Sequence, residues 1–407
     1  MCDYSLRGIP NRLALEQVHV SSDRPKFSCG NEYDIWMGSH MRNIEPTNAR
    51  STRRCVIFDM PRVLIGLFLL KCICLAQPLP PNLRQALAHH LKASEDQLKR
   101  VEGGEIVVYA PDTNSREEIA LVGVARIWTT PEAFLKQYRD ISAFEAGPGV
   151  RASGKFSHFP TMSDMKDLNL TAYEANEIRH CRAGDCGFKL GDPEIQFFRS
   201  SVDWKAPDYS NQTTLTFRRF WLNYVNRYRS SGNSALLIYH DSPKYSSIAT
   251  GLTELLASEP MLHEFSPGLV DWARSYPQST VELSDEFIYW QAGKFGLKPV
   301  HRISHVAIQN TDNQFGNGFI IASKMLYASH YFRSALELQY VIPGKDQHIG
   351  GMHYLVIVQR SRVDGMGGFR GRLIRPIAKR KASQTLERHL VSAKRRVEAA
   401  FNAAGGN

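Results

Sequence analysis

The chain has 407 residues, 43% of them hydrophobic and 22% charged, with a formal net charge of +10. That apolar share is ordinary for a folded protein and excludes a wholly disordered chain. The charge is local: residues 360–398 hold twelve Lys or Arg against three acidic residues, a net of +9, so the basicity belongs to the C-terminal segment and not to the whole protein.

Residues 1–59 are polar and aperiodic, rich in Ser, Arg and Asn, and read as a non-domain extension ahead of the true start of translation. Met60-Pro61-Arg62 then opens a segment with signal-peptide layout: a short positive start, an apolar run, and a small residue, Ala76, before Gln77-Pro78. The apolar stretch is about 14 residues and carries Lys71, short of the roughly 20 that a spanning helix needs. The expectation is a signal peptide over 60–76, cleavage near Ala76, and a secreted or periplasmic mature chain over 77–407. A membrane anchor or a buried helix is the alternative.

Cysteine usage agrees with export. Five of the seven cysteines (Cys2, Cys29, Cys55, Cys72, Cys74) lie at or before that point. Cys181 and Cys186 remain, an even pair around a Gly184-Asp185 turn, and are expected to form a disulfide in an oxidising compartment. Four intervening residues exclude a Cys-x-x-Cys redox motif, and no second Cys pair or paired His motif points to metal.

Residues 105–109 and 119–128 are β-rich runs. Thr130-Pro131-Glu132 then starts a helix, with a capping Thr and a Pro in the first turn, and Phe134, Leu135 and Tyr138 give it an apolar face. The middle, about 190–285, is helical, with Phe217, Phe220, Trp221, Tyr224, Val225 and Tyr228 forming an aromatic stripe that reads as core. Prolines 243, 260, 267 and 277 punctuate it. Strands return at 301–309, 318–331, 336–342 and 352–358, with a hairpin turn at Pro343-Gly344-Lys345-Asp346. A long basic helix closes the chain, its buried stripe being Leu386, Leu390, Ala393, Val397 and Phe401. No internal repeat is present.

The order of these elements resembles the START-like, helix-grip (SRPBCC) superfamily. The resemblance rests on the strand leading into the 129–140 helix, on the later consecutive strands, and on the terminal amphipathic helix. The runs 321–332, 287–290 and 295–299 are similar to a group of uncharacterised exported bacterial proteins. The resemblance implies an α+β fold in which a curved antiparallel sheet wraps a long C-terminal helix and encloses an apolar cavity. The helical middle is then a large insertion.

On that reading Phe319, Ile321, Met325 and Tyr327 point inward, with Tyr340 and Tyr354, to line a site for a lipid or other apolar small molecule. The opposite set on the same strand is Ile320, Ala322, Leu326, Ala328 and His330. The glycine-rich run 365–371 beside Arg360, Arg362, Arg370 and Arg372 is a candidate headgroup or phosphate seat. Lys379-Arg380-Lys381 and Lys394-Arg395-Arg396 allow peripheral contact with an anionic membrane surface; no nucleic-acid partner is expected.

Two other readings compete. One is an enzyme of unassigned chemistry using His301, His305 and His330, which requires these imidazoles to meet one another or a carboxylate. The carboxylates Asp285, Glu286 and Asp364 carry no motif of their own. The other is a non-catalytic interaction protein docking through its helical insertion, for which an exposed aromatic patch over 214–228 is needed. No Gly-x-Ser-x-Gly, His-Glu-x-x-His or P-loop is present, and neither cofactor nor metal is expected.

Overall fold

A computed structural model of the chain describes residues 78–405, apart from 148, 295–297, 312–315, 345–350, 404 and the side chain of Arg370. The expected extension and signal segment lie outside the described residues, as does part of the hairpin turn. Two short helices come first, α1 (Pro81–His89) and α2 (Glu95–Glu102), then strands β1 (Val107–Tyr109) and β2 (Glu118–Trp128). Helices α3 (Pro131–Arg139) and α4 (Ile141–Phe144) lead to β3 (Val150–Lys155). A mainly helical stretch follows: α5 (Ala172–Arg179), α6 (Asp192–Ser201), α7 (Tyr209–Ser231), the ribbon β4 (Ile238–Tyr239) and β5 (Ser246–Ser247), α8 (Ile248–Ala257), α9 (Pro260–Phe265) and α10 (Pro267–Ser275). The chain ends with β6 (Asp285–Lys294), β7 (Pro299–Thr311), β8 (Gly318–Ala328), β9 (Phe332–Pro343), β10 (Met352–Val363) and α11 (Gly368–Ala403).

The fold is α+β, as the element pattern predicts. One antiparallel sheet of eight strands, curved and not closed, has the order β1-β2-β10-β9-β8-β7-β6-β3. Local signals set its entry: Thr130 Oγ1 caps α3 by accepting from Ala133 N at 3.2 Å, and Pro131 occupies the first turn. The helical insertion falls between adjacent strands β3 and β6, earlier than the expected start at about residue 190.

Both faces of the sheet are covered, which is why β8 is buried at every position. One face carries α11 and α3–α4. Leu386, Leu390, Ala393 and Val397 of α11 share a core with Leu121 and Ile127 of β2, while Phe134, Tyr138 and Phe144 join Phe319, Ile321 and Val306. The opposite face carries α1, α2 and the insertion. Leu83, Leu256 and Trp272 pack with Leu338, Tyr340 and Tyr354. The α7 stripe (Phe217, Phe220, Trp221, Tyr224, Tyr228) packs with Trp290, Ile303 and Tyr327. That stripe is core, and it leaves no exposed aromatic patch over 214–228 among the described residues.

Candidate functional site

The six residues expected to line one apolar site divide between the two faces. Phe319 and Ile321 lie on the α11 side, and Met325 opposes Ser304 on that same side. Tyr327 packs under α7 instead, and Tyr340 and Tyr354 lie under α1 and α8–α10. The cause at Tyr327 is a bulge: Ile303 opposes Tyr327 while Ser304 opposes Met325, so Leu326 is the extra residue and the alternation inverts beyond it. Tyr340 and Tyr354 share the α1 and α8–α10 side with Leu338 and Val356, their neighbours in strand alternation.

The arginine set does not converge either. Arg360 is nearly buried and held between two buried carboxylates, Glu118 Oε1 and Glu259 Oε2, each at 2.6 Å. Arg362 pairs with Glu117 at 3.2 Å and with Glu254. Arg372 is exposed on α11. Two of the four charges are thus already neutralised within the fold, and the Arg370 side chain lies outside the described residues.

Each of the three histidines meets a carboxylate. His301 Nε2 is 2.7 Å from Glu174 Oε1, both side chains fully buried. Burial pushes Glu174 up, but the His301 contact and the Thr171 hydrogen bonds outweigh it and bring its pKa down to about 2. His330 Nε2 lies 3.2 Å from Glu177 Oε2, and Ser329 Oγ joins His330 Nδ1 to the His301 backbone N–H. His305 Nε2 lies 3.0 Å from Glu286 Oε1, and its Nδ1 lies 2.8 Å from the Tyr228 hydroxyl. Burial lowers the His305 pKa to about 4. Glu174, Glu177 and Tyr228 come from the insertion, so these contacts tie the insertion to the sheet.

Lys324, which the sequence reading passed over, is fully buried beside His305. Its Nζ donates to Asn233 Oδ1 (3.1 Å) and to the carbonyls of Trp272 (3.4 Å) and Ala273 (3.3 Å). Trp272 adds a cation–π face at 4.4 Å. Three ammonium protons meet three acceptors, which makes this lysine a cap on the last turn of α10. Burial lowers its pKa to about 7.

The α11-side face of the sheet holds a different kind of feature, a polar strip in an otherwise apolar surface. Across β10, β9, β8 and β7, Gln359, Glu337, Ser323 and Val306 form one row; one step on, Ser361 opposes Ala335, Met325 opposes Ser304, and Ala335 packs against the cluster that holds Met325. Arg302 and Gln291 oppose each other one step further on. Glu337 Oε1 and Oε2 accept from Gln339 and Gln359, each at 2.8 Å. Glu145, capping the end of α4, lies 3.9 Å from Arg302. Burial disfavours the Arg302 charge, but Tyr289, Glu145 and Glu337 around it prevail and raise its pKa.

Gln291 is the outlier within this strip. Its side chain is buried, and neither its amide N nor its amide O has a hydrogen-bond partner among the described residues. A buried amide left unmet costs on the order of 1–3 kcal/mol for each group. Gln339 Oε1 is in the same state. At the β9–β10 end of the strip, Glu337, Gln359 and Ser361 are only half-buried. The strip therefore runs from half-buried Glu337, Gln359 and Ser361 to buried Gln291 beside half-buried Arg302, with Phe319, Ile321 and Met325 alongside.

Cys181 and Cys186 are joined in a disulfide, as their spacing predicts, with Cα atoms 4.3 Å apart. Among the described residues no group of three or more His, Cys, Asp or Glu is arranged to hold a metal ion, and no helix is long and apolar enough to cross a membrane. No family model matches the chain, and comparison with curated proteins finds no relative.

Proposed function

We propose that the protein is an exported binding protein of START-like, helix-grip type that holds an amphiphilic small molecule between its sheet and the α3–α4–α11 layer. The single observation that carries this reading is the unmet amide of Gln291, buried beside Arg302 at the far end of the polar strip. A ligand headgroup with both donors and acceptors satisfies it, while Phe319, Ile321 and Met325 offer apolar contact to the rest of the molecule. This sharpens the expected apolar ligand into one with a polar end. Export rests on the 60–76 segment and on the disulfide.

The test is native mass spectrometry of protein purified from its own source, beside the Gln291→Leu variant. Leu removes the unmet amide at similar volume, so the fold is expected to be at least as stable. The expected result is a co-purifying amphiphile on the wild type, weakened tenfold or more by the variant. A ligand-free wild-type spectrum, or equal retention by Gln291→Leu, overturns the reading.

The catalytic alternative has one observation in its favour, the three imidazole–carboxylate contacts. Against it, His301 and His305 stand four residues apart on β7, about 13 Å at strand rise, and both nitrogens of His305 are engaged within the fold.

A further inference from the structure

The first third of α11 carries a surface unlike the rest of the molecule. Phe369 is 73% exposed, Leu373 63%, Ile374 48% and Ile377 50%. These are four large apolar side chains within nine residues of one helix. At about 100° per residue, Phe369, Leu373 and Ile377 fall within a sector of about 80°, and Ile374 lies about 60° beyond it. The reverse side of the same turns is the one held to the body of the protein. Gly371 is buried there, Ala378 and Ala382 pack against the core under α11, and Arg375 donates to Thr113 Oγ1 at 2.7 Å. The apolar sector therefore points away from the domain.

Charge surrounds that sector. Arg372, Arg380 and Lys381 are exposed on these turns. No acidic residue lies between Asp364 and Glu387. The second basic run of the helix differs: Lys394 is tied to the Arg126 carbonyl at 2.7 Å and to Glu398, and Val397 beside it is buried in the core. Beside the second run the exposed large apolar side chain is Val391, next to exposed Arg395, whereas the first run sets Arg372, Arg380 and Lys381 beside four such side chains.

We infer that residues 369–381 of α11 form a docking surface for an anionic lipid bilayer. The helix lies in the plane of the interface, Phe369, Leu373 and Ile377 sit at the headgroup–acyl boundary, and Arg372, Arg380 and Lys381 meet lipid phosphates. Charge complementarity selects the bilayer: a predominantly positive rim, in which Asp112 offsets Lys379 alone, around an apolar sector matches an anionic surface over an apolar interior. This inference stands apart from the ligand reading above, since none of its residues lies on the polar strip.

The experiment is co-sedimentation of the full chain with vesicles of equal phosphatidylglycerol and phosphatidylcholine, and with phosphatidylcholine alone. Wild type is expected to bind the anionic vesicles about tenfold more tightly or better. The Leu373→Ser/Ile377→Ser variant is expected to lose about tenfold in anionic-vesicle binding with its melting temperature unchanged, because both positions are exposed. The Arg372→Glu/Lys381→Glu variant is expected to lose the preference for anionic vesicles. Equal binding of wild type to both vesicles, binding to neither, or wild-type affinity in the Ser variant overturns the inference. Gln291→Leu separates the two readings: it keeps vesicle binding if α11 docks, and its loss of vesicle binding would assign the lipid to the strip and overturn the docking surface.

Discussion

His305 donates its Nε2 proton to Glu286 Oε1 across 3.0 Å, and its Nδ1 accepts from the Tyr228 hydroxyl at 2.8 Å. This is the arrangement of the neutral imidazole protonated on Nε2, with Tyr228 donating to Nδ1. Burial agrees, lowering the pKa from 6.5 to about 4. Burial raises Glu286, but its contacts with His305, Trp272 and Lys324 prevail and leave it below the usual value.

Acid lability follows. Between pH 6.5 and about 4 the unfolded chain takes up a proton on this histidine and the native chain does not. The His305 contribution is therefore complete above pH 6.5 and lost as pH falls toward 4, by as much as about 3 kcal/mol. Glu286, lowered in the fold, also loses its contribution as pH falls. Denaturation is expected to show wild type weakening more steeply over this window than His305→Gln. A His305 imidazole resonance, assigned by its loss in His305→Gln, that titrates near 6.5 sinks the assignment.

Lys324 gives a dependence at the other end of the pH scale. Its pKa falls from 10.5 to about 7 in the fold. Between those values the unfolded chain holds the proton and the native chain does not, so stability rises with pH from 7 toward 10.5. Below pH 7 both states are protonated and the native state carries the full burial cost. Measured against Lys324→Met, wild type is expected to gain roughly 3–5 kcal/mol between pH 7 and 10.5. A flat difference between the two proteins across that range rejects the lowered pKa of Lys324.

Much of the fold is legible in the sequence, because local pattern carries it. The read strand 301–309 is β7 (Pro299–Thr311), and the read helix opening at Thr130-Pro131 is α3. Weak patterns are missed: β3 runs Val-Arg-Ala-Ser-Gly-Lys and is recruited by pairing with β6. α1 and α2 are short and gain their stability from the core they cover. The site was less legible than the fold. Tyr327 crosses to the α7 side at a bulge one residue long, which strand alternation alone does not announce. Glu174 and His301 are 127 positions apart, and no local spacing announces such a contact.

The disulfide closes a loop of five-residue separation at the end of α5. The loop is pinned further by Gly184 N to His240 O at 2.8 Å and Cys186 N to Asp241 O at 3.1 Å. Chain-entropy arithmetic for so short a loop gives about 2 kcal/mol. Cys181→Ser/Cys186→Ser is expected to lower the melting temperature accordingly, and reductant is expected to bring wild type to the same value. No change under reductant means the pair is not oxidised in the isolated protein.

Gly123 explains how α11 sits so close to the sheet. It occupies β2 directly under the helix, and a Cβ there would lie 2.5 Å from Leu390 Cδ1 and 3.2 Å from Leu386 Cδ2. Both leucines are buried, so neither has free space to retreat into. Gly123→Val is expected to cost about 1–3 kcal/mol by overpacking, and to speed hydrogen exchange in α11 more than in α7, which lies on the opposite face. Leu390→Ala is strongly destabilising alone, by about 2–5 kcal/mol. In the Gly123→Val background it is expected to cost clearly less, because the valine fills part of the space the leucine leaves. Strict additivity of the two substitutions would mean that α11 does not rest on Gly123.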